Sequence, residues 1–343
     1  MSSITGITCD VTSRTLKEPF RTSLRTVSTF NVLEFHVETN DGLVANGETV
    51  ETPRITGHTE EMIMAGLLGP IRDAIEGITF TSPLELVERV AQTSAVSSAK
   101  AAADMALYYL ESATQDKTLD VLLGASKSSV RSDVTIPIAP LQEIGGLVIS
   151  RLHEGFDTFK VKLSMESVQS SIEKLKVIQH LTNGQSVMRI DPNQAWSVPH
   201  TLEFLSALGD TDIEIDYLEQ PTPEEDKAAL AEIRRNSWIP IMADESCFDM
   251  RDLLHLIELD AIDMVNLKLL KAGGISPTLE MALVAIRAGI EVRLGSMMEG
   301  DAGVFAAACV ASVLAPDKTH DLDASWWADN SRIGYEAGEV QFR

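Results

Sequence analysis

Lys160 and Lys162 in "DTFKVKL" open a series of polar residues: after Lys162 come Asp191, Glu219, Asp244, Lys268, Ser296 and Asp321, at steps of 24 to 29 residues. Three carboxylates, Asp191, Glu219 and Asp244, stand consecutively in this series, with a fourth, Asp321, at its end. An all-oxygen set without His or Cys suits a hard cation, Mg²⁺ or Mn²⁺, rather than zinc. Taken singly, "DPN" reads as a turn, "EQP" as a strand end and "DES" as a helix cap, but turns do not account for three acids at one structural level. Lysines flank the trio on either side. An amine on each side of one carbon can take a proton from one face and return it to the other. Nearby cations, the metal and the second lysine, lower a lysine's pKa, so one of the pair is expected to be neutral near pH 7.

The elements that must position these groups are legible around them. Each polar residue ends or follows a short apolar run, "FKVKL", "SVMRID", "IEIDYLE", "IPIMAD", "AIDMVNLK" and "IEVRLGS", as parallel strands buried on both faces do. Helical stretches such as "SVQSSIEKLKVIQHLT" and "DMRDLLHLIELD" lie between them. Strand and helix alternating at this period, with ionisable groups at successive strand ends, predict a βα barrel whose site lies at the C-terminal face. Lys162 then ends strand two, Asp191, Glu219 and Asp244 strands three to five, and Lys268 strand six, with Ser296 after strand seven and Asp321 on strand eight. Strands two and six face each other across an eight-stranded barrel. Lys160 and Lys162 share a strand face. Lys271 lies outside its strand and reads as structural; "KAGGI" reads either as a phosphate loop or as a tight turn.

The first part of the chain has a different pattern. Residues 4–50 alternate and carry turn signals such as Asn40-Asp41-Gly42, predicting an antiparallel meander. Residues 59–114 are helical, and Ala99, Ala102, Ala103 and Ala106 form a small-residue face suited to close packing. "GASKSSVRSD" reads as a polar linker. The organisation is an α/β chain with an α+β capping domain over residues 1–125, a barrel over 126–323, and a return segment, 324–343, that rejoins the first domain. With 343 residues there is material for a barrel and a smaller domain. A net charge of −23 argues against a nucleic-acid partner. The cysteines, Cys9, Cys247 and Cys309, are scattered with no CxxC, so neither a disulfide framework nor a zinc ribbon is indicated. There is no leader pattern and no apolar stretch near membrane-spanning length, so a cytoplasmic chain with no membrane partner is expected. A homo-oligomer is left open.

The segments "KVK", "RIDPNQAW", "YLEQP", "ADES" and "NLKLLKAGG" closely resemble the muconate lactonizing enzyme subgroup of the enolase superfamily, across most of the barrel. The resemblance implies a modified TIM barrel, (β/α)7β, with Asp191, Glu219 and Asp244 as Mg²⁺ ligands. It also implies Lys162 and Lys268 as an acid/base pair at the carbon next to a metal-bound carboxylate, and Lys160 as an electrostatic helper. Within the subgroup, "HDLDA" is similar to the DxD pair of dipeptide epimerases. Asp321 and Asp323 on one face of strand eight, opposite strand four, would hold an ammonium while the metal holds the carboxylate. A dipeptide, about 7 Å in extended form, spans that distance. "PFRTSLRTV" resembles the cap loop of epimerases acting on L-Ala-D/L-Glu, which makes Arg25 the partner of an acidic side chain, with Arg21 competing and Phe20 lining the loop. Ser296, Met297 and Met298 are expected to line the pocket, the methionines as an adaptable wall. Pro192 departs from the small residue usual in the family and stiffens the turn. The alternatives are an N-succinylamino acid racemase, an o-succinylbenzoate synthase, a muconate cycloisomerase, or a catalytically silent metal- or peptide-binding protein.

Overall fold

A computed structural model describes residues 1–342. The alternating N-terminal runs form strands β1 (Ser2–Arg21), β2 (Thr26–Thr39) and β3 (Val44–Val50), paired antiparallel, with β4 (Thr79–Phe80) on the far edge of β1. The β1–β2 register breaks between Thr15 and Phe20. Such an irregularity bends a strand and re-aims its end, and here it precedes the Thr22–Arg25 turn, closed by Thr22 N–H to the Arg25 carbonyl. Helix Ser97–Thr114 packs on this sheet through Ala99, Ala102, Ala103 and Ala106, all fully buried. Gly47 on β3 permits that approach, since a Cβ there would lie 2.0 Å from the Ala102 carbonyl oxygen and 2.7 Å from the Ala106 nitrogen. Gly47→Ala is therefore expected to destabilise by about 2–3 kcal/mol, read as a lower denaturation midpoint. An unchanged midpoint would mean that helix and sheet do not meet there.

The barrel follows from the fully buried runs. Strands β6 (Val134–Ile136), β7 (Thr158–Lys162), β8 (Val187–Asp191), β9 (Leu218–Glu219), β10 (Ile241–Ala243), β11 (Met264–Lys268) and β12 (Glu291–Gly295) form one parallel sheet in chain order. Every residue of β7 and β11 is buried, as strands covered by helices outside and side chains inside must be. Closure is made by β13 (Thr319–His320), which pairs in parallel with β5 (Ser129–Ser132), and by a bridge from Asp321 to Gly295. The cap is tied to the barrel by Asp104 on the alanine-rich helix, whose Oδ1 accepts from Ile275 N–H at the start of helix Ile275–Arg287.

Two expectations are corrected here. The "polar linker" contains β5, because Val130 and Ser132 are buried between β13 on one side and β15 (Glu339–Gln341) on the other. The tail therefore pairs with β5 and with β14 (Tyr335–Glu336), not with the cap sheet. Only its upstream part touches the cap, through a Leu16–Ala328 bridge and Asp329 N–H to the Thr15 carbonyl. Among the described residues no helix is long and apolar enough to cross a membrane.

Candidate active site

One cavity at the C-terminal ends of the strands, beneath the Phe20–Arg25 loop, is lined by Phe20, Arg25, Lys160, Lys162, Asp244, Lys268, Ser296, Met297, Met298, Asp321 and Asp323. Lys162 comes to it from β7 and Lys268 from β11, four strands apart in the sheet. Gly295 gives Lys268 its room, since a Cβ there would meet the Lys268 Cε at 2.9 Å and the Asn266 Oδ1 at 2.4 Å. Asp191 and Glu219 lie fully buried behind the wall and are joined to it by lysines. Lys162 Nζ donates to Asp191 Oδ2 at 2.5 Å. Lys160 Nζ donates to Glu219 Oε1 at 2.9 Å and Asp321 Oδ2 at 2.8 Å, and lies 3.3 Å from Asp191 Oδ2. Lys268 Nζ donates to Asp244 Oδ2 at 2.8 Å.

These pairs decide the charges. Burial disfavours the Lys268 ammonium, but Asp244 and Asp321 outweigh it and hold its pKa above the ordinary lysine value. Lys160 is likewise raised, by Asp321, Glu219 and Asp191 against its burial. A lowered lysine pKa is the expectation for a site that also holds a cation; with only carboxylates outweighing its burial, Lys268 is held charged. The Asp244 carboxyl is held well below its usual range, as Lys268, Lys271 and Lys160 overcome its burial. Glu219 is pushed up to about 7 by burial in spite of Lys160.

Each acid of the expected ligand set points at a lysine, so the trio does not converge on one point; among the described residues no three Asp, Glu, His or Cys side chains are arranged to hold a metal. The chemistry of the donors nevertheless fits a divalent cation. Five buried acids, Asp191, Glu219, Asp244, Glu245 and Asp321, stand against four lysines, Lys160, Lys162, Lys268 and Lys271. Glu245 Oε2 and Asn193 Oδ1 are buried without a hydrogen-bond partner, and burial, with Asp244 and Asp191 adding to it, pushes Glu245 up to about 8. Unpartnered oxygens beside excess negative charge are what a hard cation satisfies.

Several neighbours that pack against the site were not picked out from the sequence. Lys271, read as structural, is fastened to the site: its Nζ donates to Asp244 Oδ1 at 2.7 Å and to the Asn266 carbonyl at 3.1 Å. Asn266, two residues before Lys268 and so on the same face, donates to Glu219 Oε1 at 2.9 Å and Asp321 Oδ2 at 3.0 Å. That i, i+2 spacing was the available signal, as was the acid doublet for Glu245. In "KAGGI", Gly273 and Gly274 both have positive φ, and a Cβ at Gly274 would strike the Asp104 side chain at 2.5 Å, which is the tight-turn reading. The Phe20–Arg25 loop touches the Asp191 turn through Ser23, whose Oγ donates to the Pro192 and Asn193 carbonyls at 2.6 and 2.9 Å.

Asp321 and Asp323 do not share a strand face, because β13 ends at His320 and Asp323 starts the short helix Ala324–Trp327. Both still line the cavity. Arg25 is largely buried there, while Arg21 is exposed and outside it. Burial lowers the Arg25 pKa, with Glu51 opposing, and among the described residues its guanidinium makes no hydrogen bond or ion pair.

Comparison with known proteins gives matches along nearly the whole chain. Residues 4–124 match the mandelate racemase / muconate lactonizing enzyme N-terminal domain, and residues 147–342 match the enolase C-terminal domain-like model. A hydrophobic dipeptide epimerase of Enterococcus faecalis is 32% identical over 93% of this chain and 89% of its own. Among solved structures, the substrate-liganded L-Ala-D/L-Glu epimerase of Bacillus subtilis superposes with a TM-score of 0.94 at 27% identity, covering 99% of this chain and 96% of that one. The Enterococcus faecalis dipeptide epimerase with Mg and L-Leu-L-Tyr gives 0.90 at 30% identity, covering 99% and 97%.

Proposed function

Given that this chain belongs to the mandelate racemase / muconate lactonizing enzyme family, with the modified TIM barrel and cap of the enolase superfamily, we infer that it is a Mg²⁺-dependent dipeptide epimerase. The observation that carries this reading is the single cavity in which lysines from β7 and β11 flank buried acids, with Asp321 and Asp323 in the same wall. Asp191, Glu219 and Asp244 would hold Mg²⁺, or Mn²⁺ in its place, and the bound ion supplies positive charge that favours the enediolate over the carboxylate. Lys160, beside those acids, adds a fixed positive charge. One of Lys162 and Lys268 removes the α-proton of the second residue, and the other delivers a proton to the opposite face, inverting the centre. Asp321 and Asp323 take the free ammonium of the first residue.

The second residue is acidic in the reading supported by Arg25. A largely buried guanidinium that feels Glu51 only at a distance, with no carboxylate hydrogen-bonded to it, is costly unless a ligand supplies one. Phe20 and Met297-Met298 form the apolar walls beside it.

Incubation with Mg²⁺ and a dipeptide library in D₂O tests both levels, by mass spectrometry. Deuterium is expected at the α-carbon of the second residue, and far more slowly in N-acetylated dipeptides. Absence of uptake from every dipeptide, or uptake indifferent to acetylation, would overturn the reading. Arg25→Ala is expected to slow dipeptides ending in Glu or Asp by about 10- to 100-fold and to spare those ending in apolar residues; Arg21→Ala should spare both.

A further inference from the structure

The segment that follows Asp321 is fastened to the cap at two levels and to the barrel at a third. Farthest along, Ala328 bridges Leu16 and Asp329 N–H donates to the Thr15 carbonyl, just before the irregularity in β1. In the middle, Trp327 is fully buried in a clamp of flat groups: the Phe20 ring meets it edge-on at 5.0 Å and 84°, Trp326 at 5.2 Å and 88°, and the Arg151 guanidinium lies 5.0 Å from its ring centre. Arg151 is held in turn by Glu18 of β1. Nearest the cavity, Trp327 Nε1 donates to Asp323 Oδ2 at 2.8 Å, and Thr135 N–H from β6 donates to the same oxygen at 2.7 Å.

Two donors on one oxygen, coming from two different elements, fix the plane of a carboxylate that would otherwise rotate about its Cβ–Cγ bond. One donor is backbone within the barrel and cannot move independently of it. The other is an indole whose ring face and edges are in contact with the cap strand and the residues that strand holds. Phe20, the ring on the cap side, is itself a wall of the cavity. Phe20 is thus one of the flat groups that set the indole, and the indole N–H is one of the two donors that set Asp323.

We propose that Trp327 is a positioning residue for the substrate's amine, linking the Phe20 loop to the Asp323 carboxylate so that seating the loop and holding the ammonium are one event. This rests on the reading of the substrate as a dipeptide with a free amine. Trp327 touches neither the reacting carbon nor the lysines in the argument above; it acts through Asp323.

The test compares a free dipeptide with its N-acetyl derivative. Trp327→Phe keeps a ring in the clamp and removes the N–H donor. For the free dipeptide KM is expected to rise about 10- to 100-fold with kcat nearly unchanged, while the slow turnover of the acetylated form stays as it is. In an Asp323→Asn background the same substitution should add nothing further, because the interaction it removes is already gone. Arg151→Lys, which lies outside the cavity, keeps a charge for Glu18, leaves the indole N–H in place and removes the flat group against the Trp327 ring, should reproduce the selectivity for the free amine if Trp327→Phe fails to fold. Equal losses on both substrates in either variant, or a Trp327→Phe effect that persists in Asp323→Asn, would overturn the positioning role. A wild-type enzyme that treats the free and acetylated dipeptides alike overturns the dipeptide reading itself, and this role with it.

Discussion

Lys162→Ala and Lys268→Ala are each expected to lose epimerisation by about 10³-fold or more, yet to keep exchange of the α-proton with solvent for one isomer only. The reason is positional. The two amines come from β7 and β11, four strands apart, and line one cavity, so each reaches one face of the α-carbon. A positioned general base contributes about 10²- to 10⁴-fold, and without it the isomer presenting its proton to that side is inert. The opposite isomer still meets the remaining lysine, and its α-proton washes out in D₂O without inversion. Folding should survive either change. Asp191 keeps Lys160 at 3.3 Å when Lys162 is lost, and Asp244 keeps Lys271 at 2.7 Å when Lys268 is lost. Proton NMR of the L,L and L,D dipeptides separately, in D₂O, reads the result. Exchange of both isomers by both variants would remove the two-base scheme.

The barrel and the lysine–acid series were legible because parallel strands buried on both faces are written as apolar runs, and the groups that break those runs at their ends are the ones that face the axis. Lys162, Asp191, Glu219, Asp244 and Lys268 are found at or directly after those strand ends. The alanine face of the cap helix was legible for the same reason, as a periodicity that only close packing explains. Sequence reasoning failed where the deciding factor was a partner distant in the chain. β5 looks like a linker because its burial comes from β13 and β15, about 190 to 210 residues later. Asp323 looks like a strand residue by its spacing from Asp321, but β13 is only two residues long and the chain turns into a helix. The direction of the lysine pKa values depends on which acids stand beside them, and no spacing rule gives that.

Lys160→Met is expected to damage activity and stability together, and the dependence of the stability loss on Mg²⁺ identifies its cause. The Lys160 ammonium is shared among Glu219, Asp321 and Asp191, all buried. Removing one member of a buried ionic cluster costs about 3–5 kcal/mol, because the charges left behind are not resolvated. Turnover should fall about 10²- to 10³-fold with the loss of a fixed positive charge beside the substrate carboxylate. In chelator the full stability deficit is expected in denaturant titrations. With Mg²⁺ in excess the deficit should shrink, since an ion that binds the folded acids stabilises only the folded state. Protonation should act in the same direction. Burial raises Glu219 to about 7 even with Lys160 present, so without that lysine its folded pKa lies higher still, above the unfolded value. A carboxyl of this kind destabilises fully above its folded pKa, and the penalty declines as the pH falls from there towards the unfolded value. The variant should therefore recover stability relative to the parent as the pH falls from about 8 to about 6. A deficit unaltered by both Mg²⁺ and pH would mean that Lys160 fills space in the barrel and does not balance its acids.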